Sequence, residues 1–475
     1  MLGAKGMTLG VIFGNRDFFP DGLVAEARRD LLEVLDAMGV NVVTLTPEQT
    51  KLGAVETWQN AVLCGQILRE QKQKIDGVLV CLPNFGDEKG VADALRLSEL
   101  SCPILVQACP DDLDQFGLER RRDSFCGKIS VCNNLRQYGL KFSLTRDHTV
   151  AIKSERFKED VIEFLAVCRV VKGLRRVRIG AVGARPNAFN TTRYSEKLLE
   201  AAGISVNTID LSEVFGRAAE IESADARVKE RVQLIRSYAD SSAAPEDSLL
   251  RMAKFAVVLD GWMDELGLQA TAIQCWSSMQ KNYHVNVCTI MSMMSEQMMP
   301  SACEVDIAGV ISMYALQLAS GRPSALVDWN NNYGSDPDKC VFFHCGNWAK
   351  DFLPDIRIGT APILGTMLGE ANTVGALAGR TAAGPVTFGR VSTDDRTGSI
   401  RAYVGEGRFT DDPLETFGTK AVVQVPQLPK LMHYICRNGF EHHAAMTGAH
   451  CGDAIAEGLG SYLGWETFYH NGATG

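Results

Sequence analysis

The chain of 475 residues lacks the signals that would assign it to several common classes of protein. Its 14 cysteines contain no Cys-x-x-Cys pair, so zinc-knuckle spacing is absent, and buried free thiols in a reducing cytoplasm are expected. No apolar run approaches the roughly 20 residues that a membrane helix needs, and the Gly-rich start is unlike a secretory signal. The net charge of −9 and the absence of a long Lys/Arg block argue against nucleic acid as a partner.

Two familiar ligand-binding and catalytic signatures are also absent. No Gly-x-Gly-x-x-Gly follows the first apolar strand, which leaves a dinucleotide-binding fold with little support. No His-x-x-Glu-His or similar signature of a metallohydrolase occurs either. The composition is that of an ordinary globular protein, with 46% hydrophobic and 22% charged residues. The length therefore predicts two or three domains with a large buried core.

The chain does contain a repeated alternation of short apolar strands and amphipathic helices. The alternation runs from residue 8 to about 170 and restarts near residue 171, and from about residue 355 it gives way to Gly-rich segments with antiparallel strands. Such alternation is typical of parallel sheets covered by helices on both faces. We expect an α/β fold with two doubly wound parallel-sheet domains, residues 1–171 and 172–354, and a β-rich small barrel, residues 355–475.

The stretch from residue 299 to 348 carries the candidate chemistry of the central domain. Glu304 precedes an apolar, helix-compatible run, a predicted strand delivers Asp328, and a second strand delivers His344. In an open α/β sheet, ligand sites form where the strands end. Because one helix and one strand fit between Glu304 and Asp328, a parallel crossover is expected to return both carboxylates to the same sheet edge.

A pair of histidines, His442 and His443, provides a further candidate site near the C-terminus. Six of the chain's eight histidines lie at or after position 344. A lone histidine is usually a satisfied core residue, but a pair at an element boundary is a better ligand candidate. The sequence does not decide which of the two would bind.

Two carboxylates and an imidazole, without thiolates at ligand spacing, suit Mn²⁺, Co²⁺ or Mg²⁺. A metal held in this way polarises a carbonyl group, and the flanking carboxylates can then move a proton between adjacent carbons. These parts fit aldose–ketose isomerisation through an ene-diolate, and they also fit metal-assisted hydrolysis. A non-catalytic sugar-binding protein is a third interpretation, because two α/β domains flanking a cleft are also typical of sugar receptors.

Five segments resemble the L-fucose/L-arabinose isomerase superfamily, and most closely its shorter, fucose isomerase-like branch: ARPNAFNTTRYS (184–195), QCW (274–276), ACEVD (302–306), DWNN (328–331) and FHCG (343–346). The resemblance implies an aldose–ketose isomerase in which Glu304 and Asp328 bind Mn²⁺ and act as the acid/base pair. It implies a C-terminal histidine ligand, matched by His443 with His442 as the alternative, and it makes His344 a further candidate ligand.

The resemblance also implies a sugar pocket and an assembly. The candidate substrate-binding residues are Gln274, Trp276, Arg185, Asn187, Arg16, Trp329, Asn330 and His442. Members of the superfamily form trimers or hexamers, so a homo-oligomer is expected, with Arg16 helping to close the neighbouring subunit's site. The sugar is an L-fucose or arabinose type, or a C6-modified hexose such as sulfoquinovose, whose sulfonate Arg16, Arg185 or Arg193 could bind.

Overall fold

The structure is a computed structural model that describes residues 6–472, and its internal contacts divide into two units. The first unit contains the chain up to residue 172 together with residues 461–463, and the second contains residues 173–460 and the chain from 464. The expected division into domains at residues 1–171, 172–354 and 355–475 stays a prediction.

The first unit is built on a five-stranded, all-parallel sheet with the strand order β2-β1-β3-β4-β5. Its strands and helices, in chain order, are β1 (Thr8–Phe13), α1 (Asp21–Ala37), β2 (Asn41–Thr44), α2 (Trp58–Glu70), β3 (Gly77–Leu82), α3 (Glu88–Ser98), β4 (Ile104–Ala108), α4 (Ser124–Gln137), β5 (Ser143–Leu144) and α5 (Glu155–Leu174). Every residue of β3 and β4 is buried because helices cover both faces of the sheet. The doubly wound prediction for this region is confirmed.

A short C-terminal segment, residues 461–463, belongs to the first unit and contacts its sheet through Tyr462. The Tyr462 hydroxyl donates a hydrogen bond to the carbonyl of Ile104 at 3.2 Å and lies 2.9 Å from the Ser143 hydroxyl. Both partners lie in strands of the five-stranded sheet. Residues 461–463 thus pack with a sheet that begins more than 300 residues earlier in the chain.

The second unit begins with a four-stranded parallel sheet of order β7-β6-β8-β9. Its elements are β6 (Arg178–Val182), α6 (Glu196–Ala201), β7 (Ser205–Ile209), α7 (Leu211–Glu220), α8 (Ala226–Tyr238), α9 (Glu246–Leu266), β8 (Ala270–Ile273), α10 (Cys288–Glu296), β9 (Ser301–Cys303) and α11 (Ile307–Ser320). The methionines of α10 lie mostly in the core, as expected for adaptable apolar side chains.

The remaining strands form a nine-stranded mixed sheet of order β12-β13-β16-β11-β10-β17-β14-β15-β18. Its elements are β10 (Ser324–Asn332), β11 (Lys339–His344), β12 (Arg357–Gly359), α12 (Pro362–Leu368), β13 (Ala376–Arg380), β14 (Gly384–Asp394), β15 (Ser399–Thr410), β16 (Thr419–Gln424), α13 (Leu428–Arg437), β17 (His443–Thr447), α14 (Gly452–Ala456) and β18 (Glu466–His470). An additional pairing of β15 with β16 closes part of the sheet into a partial ring. The predicted fold class is confirmed.

The expected parallel crossover between Glu304 and Asp328 is wrong. Helix α11 leaves β9 of the four-stranded sheet and enters β10 of the nine-stranded sheet, where β10 pairs antiparallel with β11 and β17. The helix packs against strands of both sheets, which explains why it is buried on nearly every face. The two carboxylates are therefore brought together by the packing of two different sheets.

Within residues 6–472, none of the helices combines the length and the apolar character that crossing a membrane would require.

Candidate metal and active site

Glu304 lies in a tight turn between β9 and α11. Both Glu304 and Val305 have positive φ angles, of 56° and 54°, which non-glycine residues seldom adopt and which are least favourable for a β-branched residue. Strained backbone of this kind persists where the surrounding structure over-determines it, often at functional sites. The Glu304 side chain is buried, with 6% of the residue exposed.

Antiparallel pairing places Asp328 beside the histidines. In the sheet register Asp328 of β10 is opposite His443, the first residue of β17, while His344 is the last residue of the adjacent strand β11. His443 Nε2 lies 3.4 Å from Asp328 Oδ1 and 3.7 Å from Glu304 Oε2. His344 Nε2 lies 3.7 Å from the same Glu304 oxygen. His443 thus faces both carboxylates and belongs to two groups of possible ligands, one with Glu304 and His344 and the other with Asp328 and His442.

The carboxylate oxygens in this cluster are suited to a metal ion. Glu304 Oε2 and Asp328 Oδ1 are buried and have no hydrogen-bond partner among the described residues. A buried oxygen left in this way costs about 1–3 kcal/mol, and more when it is charged. Ligands held about 2.1 Å from one ion stand about 3.0–3.4 Å apart. His443 Nε2 lies near that distance from each carboxylate oxygen, 3.4 Å from Asp328 Oδ1 and 3.7 Å from Glu304 Oε2. Oxygen and imidazole donors fit Mn²⁺, Co²⁺ or Mg²⁺.

The second oxygen of Glu304 is fixed by neighbouring side chains. Trp276 Nε1 donates a hydrogen bond to Glu304 Oε1 at 3.1 Å, and Cys275 Sγ lies 3.6 Å from the same oxygen. Burial raises the pKa of Glu304, although His344 and His443 act in the opposite direction. A buried carboxylate whose pKa is raised is a stronger base than an exposed one, which suits it to accept and return a proton.

A buried charge network orients His443. His443 Nδ1 donates to Asp306 Oδ2 at 2.8 Å, and Arg390 donates to the two Asp306 oxygens at 2.5 and 2.9 Å. Burial alone would raise the pKa of Asp306, but Arg390 and His443 outweigh it and hold the pKa well below its usual range. An ionised Asp306 keeps the imidazole proton on Nδ1, which leaves the Nε2 lone pair directed to Glu304 and Asp328.

His344 has the opposite hydrogen-bond pattern. The backbone N–H of Cys345 donates to His344 Nδ1 at 3.0 Å, so a neutral imidazole carries its proton on Nε2. That N–H faces Glu304 Oε2. His443 therefore presents a bare nitrogen to the cluster, whereas His344 presents a donor.

His442 lies at the edge of the cluster. Its side chain is 44% exposed, and its Nε2 lies 3.6 Å from Asp328 Oδ1. Burial of part of the ring and the neighbouring His443 lower the pKa of His442, so its neutral form predominates at pH 7. Only His443 of the pair is held by a buried carboxylate.

Comparison with known proteins assigns the family. Residues 10–175 match the profile of the family described as "Fucose/sulfoquinovose isomerase, N-terminal domain", and residues 342–471 match "L-fucose isomerase, C-terminal domain". The chain belongs to the fucose/sulfoquinovose isomerase family. It is an aldose–ketose isomerase of that family, and its substrate is accordingly a sugar. The predicted resemblance is confirmed.

The relatives are distant but cover most of the chain. Proteins named sulfoquinovose isomerase from Priestia megaterium and Alkalicoccus urumqiensis are 27% and 28% identical, covering 83% and 82% of this chain and 85% of their own lengths. One from Clostridium sp. is 26% identical and covers 68% of this chain and 71% of its own. A solved ABC-transporter solute-binding protein from Actinobacillus succinogenes with bound D-allose covers 66% and 92% at 10% identity, but its TM-score of 0.17 carries no argument.

Two of the predicted substrate-binding residues, Trp276 and His442, lie beside the cluster. Phe189 packs edge-on against Trp276 at 5.2 Å between ring centroids and lies 5.8 Å from His442. Gln274 Oε1 accepts the backbone N–H of Ala184 at 2.9 Å, which ties the loop bearing Phe189 to the end of β8. In that loop Arg185 donates to its own neighbours, including the Pro186 carbonyl at 3.1 Å, and Asn187 is exposed.

The remaining predicted residues lie elsewhere. Trp329 faces away from Asp328, as adjacent strand residues do, and its Nε1 donates to the Tyr403 hydroxyl at 2.9 Å. With Asn330 it borders a separate cavity. Arg16 belongs to the first unit, where it pairs with Glu88 and lies 4.2 Å over the Phe85 ring.

Three residues that support the carboxylate–histidine cluster were not predicted from the sequence. Asp306, Arg390 and Glu441 were not among the candidate site residues. Arg390 is fully buried in β14, where its Nε donates to Glu441 Oε2 at 3.1 Å. The available signal was an arginine between Phe388 and Val391 of a predicted strand, because a charge buried among such neighbours needs a partner.

Proposed function

We propose that this family member is a divalent-metal-dependent isomerase that converts sulfoquinovose to the corresponding ketose through an ene-diolate. The observation that carries the proposal is the pair of buried carboxylate oxygens, on Glu304 and Asp328, that face imidazole groups and lack hydrogen-bond partners among the described residues. The names of the relatives support sulfoquinovose as the substrate.

Glu304, Asp328 and His443 would hold the ion, with Mn²⁺ preferred over Co²⁺ and Mg²⁺. When bound, the ion polarises the sugar carbonyl and stabilises the negative charge that develops on its oxygen. His443 is suited to this role because Asp306 fixes its proton on Nδ1. His344, which presents N–H instead, donates a hydrogen bond to a sugar oxygen.

Glu304 and Asp328 would move the protons of the reaction. One carboxylate removes the proton from C2 of the aldose, and the electron pair of that C–H bond forms the C1–C2 double bond of the ene-diolate. As that double bond forms, the electron pair of the C1 carbonyl moves onto O1, which takes up the proton given up by the O2 hydroxyl. The carboxyl group then delivers the abstracted proton to C1, and an electron pair on O2 forms the ketose carbonyl at C2. Trp276 holds one Glu304 oxygen during these steps, so the other oxygen keeps its orientation.

Sulfonate recognition requires cationic side chains within reach of C6. Arg185 and Arg193 occupy the loop whose Phe189 packs on Trp276. Arg193 Nε donates to the Asn190 carbonyl at 2.9 Å, which leaves its terminal nitrogens to meet an anionic oxygen. These arginines would distinguish sulfoquinovose from L-fucose and arabinose, which carry no charge.

The decisive experiment combines metal removal with isotope labelling. Protein stripped with chelator is resupplied with Mn²⁺ in D₂O and offered sulfoquinovose, L-fucose, and D- and L-arabinose, with ketose formation followed by NMR. We expect turnover of sulfoquinovose only with metal, and deuterium at C1 of the ketose, because the carboxylate proton exchanges with solvent.

Two variants accompany this experiment. Glu304→Gln should abolish turnover, while Glu265→Gln, at an exposed position at the end of α9, should leave it unchanged. Turnover that survives both chelation and Glu304→Gln would overturn the metal site. A ketose without deuterium would indicate a hydride shift instead of proton transfer. A preference for L-fucose would show that sulfoquinovose is not the substrate.

A homo-oligomer, trimer or hexamer, in which Arg16 completes the neighbouring subunit's site, is part of the proposal and follows from the family resemblance. Sedimentation equilibrium measures the assembly directly, and a monomer at working concentration would contradict it. A cytoplasmic location likewise remains a prediction.

A further inference from the structure

Four thiols converge directly behind Glu304. Cys275 follows β8, Cys288 begins α10, Cys303 ends β9, and Cys345 follows β11, so four separate elements each contribute one cysteine. The Sγ atoms of Cys288 and Cys345 are 3.7 Å apart, and those of Cys288, Cys303 and Cys345 all lie within 4.8 Å of one another. This arrangement does not follow from local sequence, since the four positions span 70 residues.

The sulfur geometry fits coordination of a single ion. Thiolates bind zinc at about 2.3 Å in tetrahedral sites, which places two such sulfurs about 3.8 Å apart. The distance of 3.7 Å between Cys288 and Cys345 agrees with that spacing and is far too long for a disulfide bond. A thioether adds to the soft donors, because Met291 Sδ lies 4.0 Å from Cys303 Sγ.

We infer that Cys288, Cys303 and Cys345 form a second, sulfur-only metal site that takes one thiophilic d¹⁰ ion, Zn²⁺, Cd²⁺ or Cu⁺. The three thiols release their protons to solvent as the ion binds. Of the three residues, Cys345 is partly exposed, whereas Cys288 and Cys303 are buried. The inference does not depend on the proposed reaction.

The thiol site and the carboxylate–histidine cluster select different ions. Soft thiolate and thioether donors favour Zn²⁺ and Cu⁺, whereas carboxylate oxygens favour Mn²⁺ and Mg²⁺. The two sites are nevertheless adjacent. Cys345 follows His344 in the chain, and Cys275 Sγ lies 3.6 Å from Glu304 Oε1. Occupation of the sulfur site is therefore expected to change how the carboxylate–histidine cluster binds Mn²⁺.

Cadmium is the probe, because Cd²⁺ thiolates absorb in the ultraviolet and complexes with oxygen ligands do not. The full-length protein is stripped of metal under reducing conditions and titrated with Cd²⁺, with Asp328→Asn included to weaken the oxygen site. We expect a charge-transfer band that saturates at one Cd²⁺ per chain in both proteins. X-ray absorption at the cadmium edge should report three sulfur neighbours, a result that needs no cysteine variant.

Three cysteine variants complete the test. Cys303→Ala and Cys345→Ala each remove a ligand. Loss of an outer-sphere partner typically weakens metal binding by about 10–100-fold, so each variant should weaken Cd²⁺ binding by more than that. Cys340→Ala is the matched control, because Cys340 is buried in β11 outside the cluster. A band that persists in both ligand variants, or a wild-type protein without a sulfur-coordinated cadmium, would overturn the inference.

Discussion

Two histidines of the cluster differ in the nitrogen that they offer. Asp306 accepts a hydrogen bond from His443 Nδ1, and the backbone N–H of Cys345 donates to His344 Nδ1. The first arrangement leaves Nε2 bare and the second leaves it protonated. Two histidines close to the same Glu304 oxygen thus become one candidate metal ligand, His443, and one hydrogen-bond donor, His344. The difference arises because the Nδ1 atom of each ring, which points away from Glu304, has a different hydrogen-bond partner.

Glutamine variants should separate the two roles. We expect His443→Gln to lower Mn²⁺ affinity by at least about 10–100-fold, because a ligand is lost together with its Asp306 partner. His344→Gln should bind Mn²⁺ almost as tightly as the unchanged protein but lower kcat by about 10²–10³-fold, the scale of one lost donor to a developing oxyanion. Calorimetric titration with Mn²⁺ and rates of ketose formation measure the two effects.

His433→Gln is the control for both variants, since His433 is exposed on α13. Equal loss of Mn²⁺ binding in the His344 and His443 variants would make His344 a ligand as well and would refute the donor role.

The candidate site residues that end apolar segments could be predicted from the sequence. The residues that form hydrogen bonds to them could not. Glu304, Asp328 and His443 each lie at or near the end of an apolar segment, where a buried polar side chain requires a hydrogen-bond partner or a bound ion. The roles of Asp306 and Arg390 could not be predicted, because their contact joins positions 84 residues apart in different elements. Only the fold reveals that such residues are partners.

At the scale of elements, helix α11 connects the two sheets and carries part of the site at its first turn. Asp306 is its N-cap residue and accepts the backbone N–H of Gly309 at 2.8 Å. The same carboxylate holds His443 and Arg390. The cap of a structural helix and the orientation of a candidate metal ligand therefore depend on one side chain.

Gly309→Ala should disturb both functions of that side chain. A Cβ at residue 309 would overlap the Asp306 carboxylate and stand 2.8 Å from Leu326 Cδ1. We expect unfolding free energy to fall by about 1–3 kcal/mol, as overpacked cores do, and Mn²⁺ affinity to fall as His443 loses its fixed orientation. Urea unfolding and Mn²⁺ titration measure these changes.

Gly261→Ala provides the contrast, because Gly261 lies inside α9 with open space where its Cβ would stand. That variant should gain up to about 1 kcal/mol from helix propensity and keep its Mn²⁺ affinity. Unchanged stability and affinity in Gly309→Ala would show that the Asp306 contacts do not hold the helix or the histidine.

Element types were predictable from periodicity, but the pairing of the nine-stranded sheet was not. The parallel strands β1, β3 and β4 are short apolar runs followed by helices, and local sequence suffices to predict them. Strand β10 instead pairs with β17, which places Asp328 opposite His443 across more than 100 residues of chain. Such pairings leave no local pattern, and the expectation of a parallel crossover failed for that reason.

At the scale of the whole molecule, the candidate ligands belong to one of the two units. Glu304, Asp328 and His443 all lie in the unit that contains residues 173–460. An ion that binds only the folded form stabilises it by about 2.7 kcal/mol when its concentration is 100 times the dissociation constant. The stabilisation is expected to concentrate where the ligands are.

Hydrogen exchange with and without Mn²⁺ should show this difference along the chain. We expect slower exchange on Mn²⁺ addition in peptides that cover β9, α11, β10 and β17, because those elements carry the ligands and their Asp306 partner. Peptides from β1, β3 and β4 should exchange at unchanged rates. Asp328→Asn should remove the protection, since it replaces a ligand oxygen while keeping the side-chain shape. Equal protection of both units would instead mean that the ion acts on the protein as a whole, either through a ligand in the first unit or through assembly.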